Sequence, residues 1–185
     1  MGINLVKGQK INLQKSDGVT PLKKVVVGLG WNISRGGDSI DLDASCAMFD
    51  ANKQLIDKVH FGQLSSNDRS VKHSGDNLTG EGDGDDEQIT VDLERVDTNI
   101  QSIVVTISSY RGHTFDKIEN CYARLVDSDS NSEICKYDLN EKGGHTGMIM
   151  VKLYRHNGVW KASAIGQSAT SRTISDLIEP IKAIL

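Results

Sequence analysis

A succession of short β-type segments, each closed by a turn signal, limits this chain to few architectures. KINLQK (10–15) alternates Ile11 and Leu13 with polar neighbours, and VVVGLGW (25–31) is a β-branched run ending in glycines and a tryptophan. SCAMF (45–49), QITVDL (88–93), SIVVTISSY (102–110), YARLVD (122–127), EICKYDL (133–139), MIMVKLYRH (148–156) and VWKASAIG (159–166) continue the series. Between them stand Arg35-Gly36-Gly37-Asp38, Ser128 to Ser132, Gly143-Gly144 and Asn157-Gly158. Many short strands at regular spacing with turns between them predict an all-β, two-sheet antiparallel β-sandwich. The firmest hairpin is the one around Asn157-Gly158, because that dipeptide supplies the positive φ angles of a type I′ turn. Helix is scarce. RTISDLIEPIKAIL places Ile174, Leu177, Ile178, Ile181 and Leu185 on one helical face, with Thr173 as cap and Pro180 as a kink. A further short helix is expected at 114–119.

The chain of 185 residues is long enough for one substantial core, and no composition shift marks a linker, so residues 1–185 read as a single domain. Its formal charge of −4 comes without any Lys/Arg-rich block. That excludes the basic stripe of a nucleic-acid surface and argues against docking on anionic lipid. The opening MGINLVKGQKINL has no apolar leader region, and Val6 stands where a myristoylation signal wants Ser or Thr. No apolar run approaches the ~20 residues needed to cross a bilayer. Cys46, Cys121 and Cys135 are odd in number and lack C-x-x-C spacing, which predicts reduced, buried thiols of a cytoplasmic protein.

Charge is concentrated in GDNLTGEGDGDDE (75–87), where Glu81, Asp83, Asp85, Asp86 and Glu87 crowd together between glycines. In water each pair of like charges at ~4 Å costs roughly 1 kcal/mol, and more beside low-dielectric protein. Either the loop is a solvated spacer, or it encloses a cation. Crowding favours the cation, and oxygen-rich ligands favour calcium over magnesium, which wants fewer protein ligands and a stiffer octahedron. An EF-hand does not fit, since Leu78 and Gly80 would occupy ligand positions and the flanks are strands. A second acidic pair, Asp41 and Asp43, is spaced so that both carboxylates leave an extended chain on one side. Beside the loop it would make a two-ion cluster feasible; otherwise it lines a solvated face. His73 could orient the loop, although a surface histidine is the plainer reading.

GLGW (28–31), DLDAS (41–45), HSGDNLTGEGDGDDE (73–87) and YRHNGVWKASAIGQ (154–167) closely resemble the TerD family of tellurium-resistance and general stress proteins. HFGQL (60–64), TFDKIEN (114–120) with CYARLVD after it, and SRTISDLIEP (171–180) resemble the TerZ/TerX branch. The resemblance implies a β-sandwich that binds calcium, typically two ions. Carried onto this chain, the implied ligands are Asp41, Asp43, Asp76, Asn77, Asp83, Asp85, Asp86 and Glu87, with backbone carbonyls near Leu78, Gly80 and Gly82. It also implies a cytoplasmic, non-enzymatic stress-response protein that associates with other proteins of its resistance gene cluster, some of them membrane-bound.

Catalytic signatures are thin. Gly28-Leu29-Gly30 lacks the third glycine and the helix of a dinucleotide fingerprint, so a glycine bend is expected there. Neither G-x-S-x-G nor H-E-x-x-H occurs. The alternative function is a metal-dependent hydrolase or small-ligand binder using the cation as a Lewis acid, which requires an open coordination position.

Overall fold

The computed structural model describes residues 2–33, 41–76, 84–139 and 143–185. In these, strands form two six-stranded sheets packed face to face, the sandwich expected from strand spacing. The first sheet runs β1 (Ile3–Asn4), β10 (Ser132–Asp138), β9 (Ile118–Asp127), β3 (Lys24–Ile33), β7 (Glu87–Asp92), β6 (Val71–His73). The second runs β2 (Lys10–Asn12), β12 (Val159–Ala169), β11 (Gly147–His156), β8 (Ser102–Ser109), β4 (Leu42–Phe49), β5 (Leu55–Val59). Neighbours are antiparallel except β1, which lies parallel to β10.

Period-two patterning fills the space between the sheets. In β7, Glu87, Ile89 and Val91 are buried while Gln88, Thr90 and Asp92 are half-buried. Val25, Val27 and Leu29 of β3 meet Leu42, Ala44, Cys46 and Met48 of β4 in one apolar core. β4 and β8 read as continuous apolar runs because both their faces are covered. Ala47, Phe49, Val104 and Ile149 turn outward against Ile174, Leu177 and Ile181 of α1 (Ile174–Lys182). Burying a residue like Leu177 stabilises by about 1.5–3 kcal/mol. Asp176 accepts hydrogen bonds from the Arg172 and Thr173 N–H groups and so anchors the start of α1.

The Asn157-Gly158 turn is as expected, with φ of 51° and 78° closing β11 onto β12. The helix expected at 114–119 is a single 3₁₀ turn, Phe115–Lys117. Pairing of Ile118 with Ile33 and of Glu119 with Asn32 draws the remaining residues into β9. Gly28 and Gly30 lie inside β3 rather than at a bend. Edge strands β1, β5 and β6 carry too little alternation to stand out in the sequence. All three cysteines are buried and free. No helix among the described residues is long and apolar enough to cross a membrane.

Candidate metal centre

The site begins at an open strand edge. β5 pairs with β4 only as far as Cys46, so the preceding residues of β4 have no strand beside them on that flank. Side chains from the first sheet take its place. Glu87 Oε2 accepts the Ala44 N–H at 2.6 Å, and His73 Nε2 lies 3.0 Å from the Ala44 carbonyl oxygen and 3.2 Å from the same Glu87 oxygen. His73 Nδ1 accepts the Gly75 N–H at 3.0 Å. The ring is therefore the neutral Nε2–H tautomer, held from both sides. Burial disfavours the charged imidazolium, but Glu87 and the Ala44 carbonyl outweigh it and raise the His73 pKa above its ordinary value. The surface histidine expected at this position is in fact a buried tie between the sheets, orienting the first residues of the acidic loop.

Leu42 and Ala44 belong to the central core, so Asp41 and Asp43 project together from the other side of the strand, as their spacing predicts. Asp76, one residue beyond Gly75, joins them. One carboxylate oxygen from each of the three lies within 4.8 Å of the others. Two oxygens facing each other across a calcium ion at ~2.4 Å would be about 4.8 Å apart, so one ion fits this spacing. Asp41 and Asp43 are only 5% and 6% exposed, whereas Asp76 is exposed. Asp41 Oδ1 and Asp43 Oδ2 are buried with no hydrogen-bond partner among the described residues. Burial first, then the charges of Asp41, Glu87 and Asp76, push the Asp43 carboxyl up to about 7. Asp41 is raised by burial and by Asp76, with Arg111 working the other way from 3.5 Å. Two carboxylates held this uncomfortably lack a positive partner.

Residues 84–87 follow a different course. Asp85 turns onto the outer face of the first sheet, where Arg124 donates to it from Nε at 2.7 Å and Nη2 at 3.1 Å. Gln88 Nε2 and the Tyr122 hydroxyl donate to the same carboxylate, and the Asp85 side chain is 1% exposed. Gly28 makes this possible, since a Cβ there would sit on the Asp85 carboxylate. Asp86 anchors the adjacent backbone: its N–H donates to the Leu29 carbonyl and its Oδ2 accepts the Trp31 N–H, each at 2.8 Å. Burial nonetheless raises the Asp86 pKa. Of the eight residues expected as ligands, the structure brings Asp41, Asp43 and Asp76 together. It ties Asp85 to Arg124, fastens Asp86 to β3 and holds Glu87 at the β4 edge, while Asn77 and Asp83 lie outside the described residues. Arg111 and Arg124 were not foreseen. Arg124 alternates with Tyr122 in a strand opposite two glycines, the one signal that something must fill that space.

A family model of the TerD domain matches residues 1–180. The chain belongs to the TerD family. It is 41% identical to the tellurium resistance protein TerZ of Serratia marcescens, over 95% of this chain and 94% of that one. It is 43% identical to general stress protein 16U of Bacillus subtilis (strain 168), covering 95% and 97%. A solved homologue of telluride resistance protein (TerD) from Streptomyces coelicolor A3(2) superposes with a TM-score of 0.74 at 21% identity, covering 87% and 98%, and supports the fold. TerZ-type and general stress proteins are thus both similar along nearly their whole length.

Proposed function

We propose that this TerD-family chain is a non-enzymatic, calcium-binding module of the stress response that works through contacts with other proteins of its resistance cluster, in the cytoplasm. The observation that carries the reading is the pair of buried, unpartnered oxygens on Asp41 and Asp43, with Asp76 within reach. Asp41, Asp43 and Asp76 would hold the ion, and the carbonyls and carboxylates of residues 77–83 are the further donors that the family resemblance implies. Calcium, when bound, supplies the positive charge that these carboxylates lack. The chain's own contribution is to hold them ready: β4 fixes Asp41 and Asp43, the His73–Gly75 hydrogen bond sets the approach to Asp76, and the Asp85–Arg124 pair fixes the far end of the loop.

A ligand that binds only the folded state raises the melting temperature by mass action. At a calcium concentration of 100 times Kd, the gain is about 2.7 kcal/mol, which for a chain of this size corresponds to roughly 5–10 °C. A thermal scan in EGTA and then in calcium reads this, and isothermal titration gives the number of ions. No shift and no heat of binding would remove the proposal. Turnover of phosphoesters with calcium, magnesium or manganese would replace it with the Lewis-acid reading.

A further inference from the structure

The chain has three Phe, four Tyr and two Trp. Trp31, Phe49, Phe115, Tyr137 and Trp160 are buried, and Tyr122 and Tyr154 are half-buried. The two exposed ones, Phe61 (41%) and Tyr110 (52%), come from different parts of the chain yet touch edge to face, with ring centroids 5.9 Å apart. Phe61 sits in the turn after β5 and Tyr110 immediately after β8. Leu64, in the same turn as Phe61, is 47% exposed. Isolated exposed apolar residues are ordinary, but large rings gathered on a surface are enriched where proteins meet.

What lies beside the rings gives the partner's chemistry. Arg111 follows Tyr110, its side chain is 54% exposed, and its Nε is 3.5 Å from Asp41 Oδ2. Arg172, also exposed, places its guanidinium against Gly112. While Asp41 has no metal, Arg111 is its counter-charge, and the neighbouring Asp43 and Asp76 make this surface repel an anion. A cation on Asp41 ends both conditions: the carboxylates are neutralised, and Arg111 is released beside Phe61 and Tyr110. The same surface then presents two arginines and two rings, complementary to carboxylates with an apolar side chain between them.

We propose that Phe61, Tyr110 and Arg111 form a docking surface for an acidic peptide segment bearing an aromatic or aliphatic side chain, opened when a cation takes Asp41. This inference rests on the calcium reading given above and names both the partner class and the way the ion controls it. Aromatic rings give the contact area, Arg111 gives the requirement for an acid, and competition between Arg111 and the ion for Asp41 gives the dependence on loading.

The test uses the full chain and a displayed library of random short peptides, bound in calcium and eluted with EGTA. The expected result is that EGTA-eluted peptides carry Asp or Glu next to aromatic or aliphatic residues. Synthesised with a fluorophore, they should bind at least tenfold more weakly to Arg111→Ala and to Phe61→Ser by anisotropy. Both positions are exposed, and calcium titration checks each variant. Phe61→Ser should bind calcium as the parent does, and Arg111→Ala at least as tightly, having lost the competing charge. If the parent binds calcium but EGTA releases no peptides, or releases peptides without acidic residues, the inference is overturned while the calcium reading stands. Peptide binding unaffected by Arg111→Ala overturns it equally. Calcium-dependent self-association that Phe61→Ser abolishes would make the occupant a second copy and overturn the peptide assignment. A parent that binds no calcium overturns the metal reading first, and this inference with it.

Discussion

Replacing Asp43 by Asn should stabilise the metal-free protein while weakening its hold on calcium. Burial and the charges of Asp41, Glu87 and Asp76 push the Asp43 carboxyl up to about 7, against about 3.9 in an unfolded chain. The folded state therefore keeps its proton longer than the unfolded state does. Stability from this group is greatest below about pH 4, falls as the pH rises from about 4 to about 7, and is flat beyond. At ~1.4 kcal/mol per pH unit, a gap of about three units amounts to roughly 4 kcal/mol lost at pH 8. Asn cannot ionise, so Asp43→Asn should gain about 2–4 kcal/mol over the parent at pH 8 in EGTA, less whatever its amide leaves unsatisfied. At pH 4 the two should agree within about 0.5 kcal/mol. Urea unfolding followed by tryptophan fluorescence at both pH values measures the difference. With calcium present the order reverses, and affinity should fall at least tenfold, about 1.4 kcal/mol. A variant no more stable than the parent at pH 8, or one with an equal advantage at pH 4, would refute the claim that Asp43 is an uncompensated buried charge.

Arg124→Ala should destabilise by about 2–3 kcal/mol, since the buried Asp85 carboxylate would keep only Gln88 and Tyr122 while water reaches part of the space left. Adding Asp85→Asn to that variant should recover part of the loss in the same urea titration, and a single-variant loss below ~0.5 kcal/mol would show that the pair carries little. Gly28→Ala should displace the same carboxylate and lower calcium affinity in titration, whereas unchanged affinity would separate the Asp85 anchor from the metal centre. Leu177→Ala, at a fully buried position of α1, should cost about 2–5 kcal/mol in thermal unfolding. A cost under 1 kcal/mol would mean that α1 is only loosely seated.

The sandwich was legible because period-two burial and turn chemistry act locally: β7 alternates residue by residue, and Asn157-Gly158 adopts the angles its side chains favour. The edge strands were not, because β5 and β6 are held by neighbours rather than by their own pattern. In the acidic region, sequence spacing correctly put Asp41 and Asp43 on one side. It could not tell Asp85 from its neighbours, since that distinction depends on Arg124, 39 residues away, and on the space left by Gly28. The same holds for His73, whose burial follows from a gap beside Ala44 in the opposite sheet. Crowded carboxylates announce themselves in sequence; the groups that divide them into anchors and metal candidates come from across the fold.

The Glu87–His73 cap on Ala44 bears on how copies of this chain can stick together. An unpaired strand edge is a template for any extended segment, from the same protein or another. Here the N–H and carbonyl that would receive such a segment at the upper end of β4 are already engaged by two side chains from the facing sheet. Strand addition to the second sheet is thereby confined, among the described residues, to the outer edges of β2 and β5, three and five residues long. Neither is long enough to seed an extended cross-strand ladder readily, so the protein can hold a dense, glycine-rich acidic loop beside an interrupted strand without turning that interruption into a nucleus for aggregation.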